Sequence, residues 1–242
     1  MGYSKFVRGG AMTTHAHTPA LVSSRLLPGY DTVARLSGAL PMYWRLLAQA
    51  GIGPRDRVLE IGCGTGNVVL RAKEAVPTAT VCGIDPDPAA VAVARRKAVA
   101  AGLDVDLQVG VAEDLPLDDG SVDRVLSSLM LHHIAVDARV AALREAHRVL
   151  TPGGSLHLVD LDHDPRTGGR MHPVHRALSL LARLDPAHRG SRHGGHGGHG
   201  HGHGHAAQPV PDLLGAAGFA EAVVVGHGAT RMGPITYYRA ER

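Results

Sequence analysis

The stretch Arg57-Val58-Leu59-Glu60-Ile61-Gly62-Cys63-Gly64-Thr65-Gly66-Asn67 limits the fold more than any other. An apolar run carrying one acidic residue is followed by glycines at every second position and then by residues able to open a helix. That order reads as a buried strand, a turn without side chains and a helix start. Glycine takes positive φ freely and lets a ligand approach the backbone amides closely. Several cofactor folds use such a turn, so the turn alone does not name its ligand.

The chain around it alternates strand and helix. After the first strand (57–61) a helix is expected over about 66–76, ending before Pro77. Thr80-Val81-Cys82-Gly83-Ile84 is a second apolar run closed by Asp85. Asp87 as N-cap and Pro88 at the first helical position open a helix that runs to Gly102. Val105–Val109 is a third strand, and Val122–Leu126 a fourth behind the turn Asp118–Ser121. Asp137 is placed to cap a helix through Leu150. Thr151-Pro152-Gly153-Gly154 stops that helix, and Ser155–Val159 is the fifth strand. Such alternation over 57–160 predicts parallel strands joined by right-handed crossovers, with ligands at the C-terminal strand ends. Beyond it, Pro211–Ala217 reads as a short helix and Ala222–Val225 and Ile235–Arg239 as two last strands.

Composition narrows the function. Apolar residues make up 44% of the 242, ample for one core, while the formal net charge is only +3. The one basic run, Arg95-Arg96-Lys97, reads as a solvated helix face, so no nucleic-acid partner is expected. Two cysteines, Cys63 and Cys82, make no disulfide framework and suit a reducing, cytoplasmic setting. Met1–Pro19 has no apolar leader core, and no segment reaches membrane-spanning length. We divide the chain into a loose arm (1–29) and one domain (30–242), with an insertion over 161–207. Tyr30–Ala50 carries two helical patterns split at Pro41. Tyr43 and Trp44 there serve either core packing or a lid over a pocket.

The glycine spacing separates two cofactor readings. A dinucleotide fingerprint is G-x-G-x-x-G, whose third glycine allows close helix–strand packing. Here the pattern is G-x-G-x-G, and Asn67 stands where that third glycine belongs. Asp85, 19 residues after Gly66, can accept hydrogen bonds from ribose hydroxyls with either cofactor.

At this point the motifs resemble a known family, the class I S-adenosylmethionine-dependent methyltransferases, and within it the ubiquinone/menaquinone-type small-molecule branch. Val58–Gly66 is similar to that family's first motif and Gly83-Ile84-Asp85-Pro86 to its ribose-binding strand end. Ala112-Glu113-Asp114-Leu115-Pro116-Leu117 is similar to the adenine-contacting segment. Ser121–Ser128 with Leu131-His132-His133 resembles the fourth-strand motif, and Glu145–Gly154 the helix and turn before strand five. The resemblance implies an α/β, Rossmann-like, doubly wound fold. Its sheet is seven-stranded and mostly parallel with an antiparallel last strand, and it carries an N-terminal helical lid and an insertion after strand five.

The same resemblance implies cofactor contacts. Gly62, Cys63 and Gly64 would lie against the methionine moiety, with Glu60 fixing the turn and reaching the amino group through water. Asp85 would bind the ribose, Pro86 would pack on the adenine, and the Ala112 amide would meet the ring. Carbonyls near Ser127-Ser128 would meet the ammonium, and Tyr30 would close over the carboxylate end. One departure stands out. The family commonly has Asp, holding the adenine amino group, where this chain has Val111; Glu113 or Asp114 substitutes, or the contact is lost.

Methyl transfer from a sulfonium needs alignment, exclusion of water and, for some acceptors, a base. His132 and His133 follow the fourth strand and are the candidate catalytic residues, the alternative being a structural pair. Asp160, Asp162, His163 and Asp164 cluster after strand five, fitting either a divalent-cation site or an ordinary polar loop. His172 and His175 share a spacing of three without specificity, and Leu178, Leu181 and Leu184 hint at a hydrophobic small-molecule substrate or at core packing. The internal tract over 193–205 places His193, His196, His199, His201, His203 and His205 on glycine. Such a strand can chelate Zn²⁺, Ni²⁺ or Cu²⁺ with poor selectivity, or be a low-complexity loop that binds metal adventitiously. It supports a second reading: an inactive methyltransferase scaffold with a metal-binding or regulatory role. Oligomeric state is not legible.

Overall fold

The computed structural model describes residues 38–162 and 208–242. The expectations for Tyr30, for residues 163–205 and for the histidine tract lie outside these residues. Within them the strands are β1 (Arg57–Ile61), β2 (Thr80–Asp85), β3 (Asp106–Val109), β4 (Val122–Ser128), β5 (Leu150–Leu161), β6 (Glu221–Thr230) and β7 (Gly233–Glu241). The helices are α1 (Ala39–Ala50), α2 (Val69–Ala75), α3 (Pro88–Ala101), α4 (Arg139–Val149) and α5 (Val210–Ala216), with a 3₁₀ turn at Leu131–His133.

One seven-stranded sheet runs in the order β3-β2-β1-β4-β5-β7-β6. β1 to β5 pair in parallel, while β7 is antiparallel to both β5 and β6. Both faces are covered, so successive strand residues feed opposite cores. Val58, Val81, Leu126, Val159 and Tyr237 pack with α1, α2 and α3. Leu59, Cys82, Val125, Leu158 and Tyr238 pack with α4, α5 and the 115–117 segment. Chain order reverses between β1 and β4, so the crevice at their C-terminal ends is the switch point where such sheets bind ligands. No helix among the described residues is long and apolar enough to cross a membrane.

Local chemistry explains most boundaries. The Asp87 carboxylate accepts the Ala89 amide at 2.8 Å, Pro88 follows, and Gly102 ends α3 at φ 65°. Helix α2 starts at Val69, three residues later than expected, because Gly66 at φ 84° cannot join a right-handed helix. Asp137 does not cap α4. It sits inside a turn closed by the Ala138 amide on the Ala135 carbonyl at 2.9 Å, and the helix begins after Ala138 without a side-chain cap. The Pro152-Gly153-Gly154 segment stops α4 but belongs to β5, which begins at Leu150 opposite Val122. Gly153 and Gly154 then pair with Arg242 through main-chain hydrogen bonds of 3.3 and 3.1 Å.

Candidate active site

The glycine turn is latched to β2. The Gly62 and Cys63 amides both donate to the Ile84 carbonyl, at 2.8 and 3.0 Å, and the Gly64 amide donates to Asp85 Oδ2 at 2.8 Å. Gly62, Gly64 and Gly66 all take left-handed φ, of 74°, 51° and 84°. A side chain at Gly62 would collide with Met130, and one at Gly66 would press on Ala94 and Leu70 at 3.1 and 3.2 Å. Gly66 therefore does the close-packing work that a dinucleotide turn assigns to a later glycine. Over Gly64 nothing lies within 4 Å, so this part of the turn is open to a ligand.

Asp85 holds both sides of the crevice. Its Oδ1 accepts the Asp87 amide at 2.9 Å while Oδ2 holds Gly64. Each carboxylate oxygen keeps a second acceptor direction, which ribose hydroxyls can use. Burial raises the Asp85 pKa, against the pull of the two amides. Pro86 beside it is exposed, and Ala112 is buried at the tip of the next loop with Glu113 half-buried. That loop is tied to β2 by the Gly110 amide on the Asp85 carbonyl at 3.1 Å, and Val111 bridges Asp114 across it.

Glu60 lies beneath the turn and is almost fully buried. Its Oε2 accepts the amide of Val69, the first residue of α2, at 2.8 Å, and Ser128 Oγ donates to Oε1 at 3.4 Å. The strand carboxyl thus supplies the cap that Val68 cannot. Burial lifts the Glu60 pKa to about 8, with the negative charge of Asp85 adding to the rise. Lys97 opposes it and also donates to the Thr65 carbonyl at 2.8 Å. The basic run is therefore not only a solvated face, since Lys97 braces the turn and Arg95 binds the Leu107 carbonyl.

The histidines stand at the same crevice. Met130 packs on Gly62, so the 3₁₀ turn that follows it is held beside the glycine turn. Leu129 enters that turn at φ 53°, its amide on the Val159 carbonyl at 2.9 Å. Asp160, at the end of β5 and 3% exposed, lies 2.5 Å from His132 Nδ1 through Oδ1 and accepts the His132 amide through Oδ2 at 3.1 Å. His133 is exposed and lies against the His132 ring, with centroids 4.0 Å apart. The structure thus assigns Asp160 to His132; among the described residues no three His, Cys, Asp or Glu side chains form a metal-binding group. Trp44 does not stand over the crevice. It is 48% exposed and lines an apolar groove with Gly51, Ile52 and Val76, which lead into the N-terminal ends of β1 and β2. Tyr43, on the same helix, is buried in the core beneath it.

Comparison with known proteins agrees with this geometry. Residues 58–154 match the family model described as a methyltransferase domain. A demethylmenaquinone methyltransferase of Thermus thermophilus is 35% identical over 204 residues, covering 81% of this chain and 90% of that protein. The ubiquinone/menaquinone biosynthesis C-methyltransferase of Geobacter sp. strain M21 is 33% identical over 141 residues, covering 56% of this chain and 59% of that one. A SAM-dependent methyltransferase structure from Aquifex aeolicus superposes with a TM-score of 0.57 at 18% identity, over 91% of this chain and 100% of that one, and shares its fold. Sheet order, glycine turn and strand-end acids together are those of a Rossmann-like nucleoside-cofactor fold. The chain belongs to the class I S-adenosylmethionine-dependent methyltransferases, in the ubiquinone/menaquinone branch.

Its cofactor is S-adenosylmethionine, and the residues present fit that group. The open space over Gly64 suits close approach of the amino-acid part. The acceptor directions left on Asp85 suit a ribose, and a buried Glu60 carboxyl suits an ammonium nearby.

Proposed function

We propose that the enzyme methylates a small hydroxylated aromatic acceptor of the quinol type, with His132 taking the hydroxyl proton and Asp160 orienting His132. The observation that carries this reading is the 2.5 Å approach of Asp160 Oδ1 to His132 Nδ1 at the strand-end crevice. A carboxylate at Nδ1 holds the ring proton there and makes Nε2 the accepting nitrogen. Glu60 and the glycine turn would hold the amino-acid part of the cofactor, Asp85 its ribose, and Pro86 and Ala112 its base. When bound, the cofactor supplies a methyl group on a sulfonium sulfur that departs as a neutral thioether.

The chain's own part is alignment and proton removal. As His132 Nε2 takes the phenolic proton, electron density rises on the oxygen and on the ring carbon beside it, and that carbon attacks the methyl. The ring carbon's own proton then passes to water and His132 returns its proton to the oxygen as aromaticity returns. Two relatives are named for demethylmenaquinone methylation and for C-methylation in ubiquinone/menaquinone biosynthesis, which supports a quinol acceptor and a carbon target.

The test supplies methyl-labelled S-adenosylmethionine with a reduced naphthoquinol, and separately with its dimethyl ether. The expected result is label on a ring carbon of the quinol and none on the ether. Equal labelling of both would overturn the base, and labelling of neither would overturn the acceptor class.

A further inference from the structure

We infer that Glu145 and Arg148 of α4 are positioning residues for the adenosine half of the cofactor, acting through the 110–119 loop. Neither side chain reaches the crevice. Both hold the loop that walls it beside Asp85, and the inference rests on the cofactor placement proposed above.

The contacts are dense and they converge on main chain. Glu145 Oε2 accepts the Leu115 amide at 2.9 Å, and Arg148 donates to the Leu115 and Leu117 carbonyls at 3.0 and 2.8 Å. The two side chains lock each other, with Arg148 Nε and Nη2 each 2.7 Å from a Glu145 oxygen. Asp119 takes a further Arg148 hydrogen bond at 2.6 Å, and the Arg148 carbonyl receives the Gly120 amide at 3.0 Å. Burial raises the Glu145 carboxyl, but the guanidinium and the Leu115 amide reverse this and hold it below its ordinary range. Glu145 and Asp119 in turn hold Arg148 above its own. A planar guanidinium with both carbonyls and a carboxylate on its donors has one geometry, so it fixes the loop and does not merely attract it.

The loop is fastened at its other end by the Gly110 amide on the Asp85 carbonyl. Asp85 ends β2 and Gly110 follows β3, so a nucleoside whose ribose lies on Asp85 presents its base to the 110–115 segment. Val111 and Ala112 offer that base only apolar side chains and main-chain groups. Base recognition then depends on where the main chain stands, and so does the reach of the half-buried Glu113 toward the base. Leu115 and Leu117, fully buried under α4, carry the register set by Glu145 and Arg148 back to Ala112.

The experiment compares wild type with Arg148→Lys and Glu145→Gln. It measures steady-state constants and calorimetric affinities for S-adenosylhomocysteine and its inosine counterpart, S-inosylhomocysteine. We expect KM for S-adenosylmethionine to rise roughly tenfold with kcat at saturation nearly unchanged. The preference for adenine over hypoxanthine should shrink. Arg57→Gln, which breaks the bidentate pair with Asp123 at the far end of the sheet, should lower Tm without moving KM or that preference. If Arg148→Lys fails to fold, Glu145→Gln carries the same readout. Unchanged KM and unchanged base preference in folded variants would overturn the clamp alone. A wild type that binds neither homocysteine ligand would overturn the cofactor placement beneath it.

Discussion

Asp160 grips His132 at two points, the ring through Oδ1 and the main-chain amide through Oδ2. The carboxylate therefore sets both the position of the 3₁₀ turn and the rotation of the imidazole within it. Its Oδ1 also accepts the Leu161 amide at 2.7 Å, which leaves the group little freedom to turn away.

Asp160→Asn should lower kcat by about 10²- to 10⁴-fold, the range for a misoriented general base. KM for S-adenosylmethionine should barely change. His132→Ala should cost as much, and the double variant little more, because the two act as a unit. Steady-state kinetics on the three variants check this, and additive losses would contradict it.

Glu60 makes the stability of the ligand-free protein depend on pH. Its folded pKa of about 8 lies above the ordinary 4.5, so the neutral form is the one the fold prefers. The stabilising contribution is complete below 4.5 and is lost as pH rises through about 8. In urea denaturation without cofactor, Glu60→Gln should hold its stability over that window while wild type weakens. Parallel pH curves would exclude the buried carboxyl as the cause.

Two glycines in one turn should respond differently to alanine. Gly64→Ala meets open space and bears only the left-handed backbone penalty, about 1–2 kcal/mol. Gly62→Ala adds a collision with Met130 and should cost about 2 kcal/mol more. Pairing Gly62→Ala with Met130→Ala should recover part of the added loss in Tm.

Trp44→Ala should leave KM and kcat unchanged, because its groove opens at the N-terminal end of the sheet. A raised KM for the acceptor would return Trp44 to the substrate wall.

What the sequence made legible follows from distance along the chain. The glycine turn, the Asp87-Pro88 helix start and the Gly102 stop are local, and each declares itself within a few residues. Their order over 57–160 carried the sheet. The partners that complete the site are far apart: Asp160 lies 28 residues from His132, Lys97 lies 32 from Thr65, and Arg148 lies 33 from Leu115. No periodicity links such pairs. Asp160 thus read as part of an acidic loop, and Lys97 as one charge in a run. Trp44 shows the converse limit. Helical spacing placed it correctly on a helix, but only the fold tells which end of the sheet that helix face serves. Asp137 was misleading for a local reason, since a turn of its own precedes α4.

The most direct test of the account is calorimetric titration of the full chain with S-adenosylhomocysteine, wild type beside Asp85→Ala. Asp85 joins the glycine turn, the β2 end and the 110–119 loop. Wild type should show saturable one-site binding, and Asp85→Ala none at the same concentrations. No binding to wild type, or equal binding to both, would contradict it.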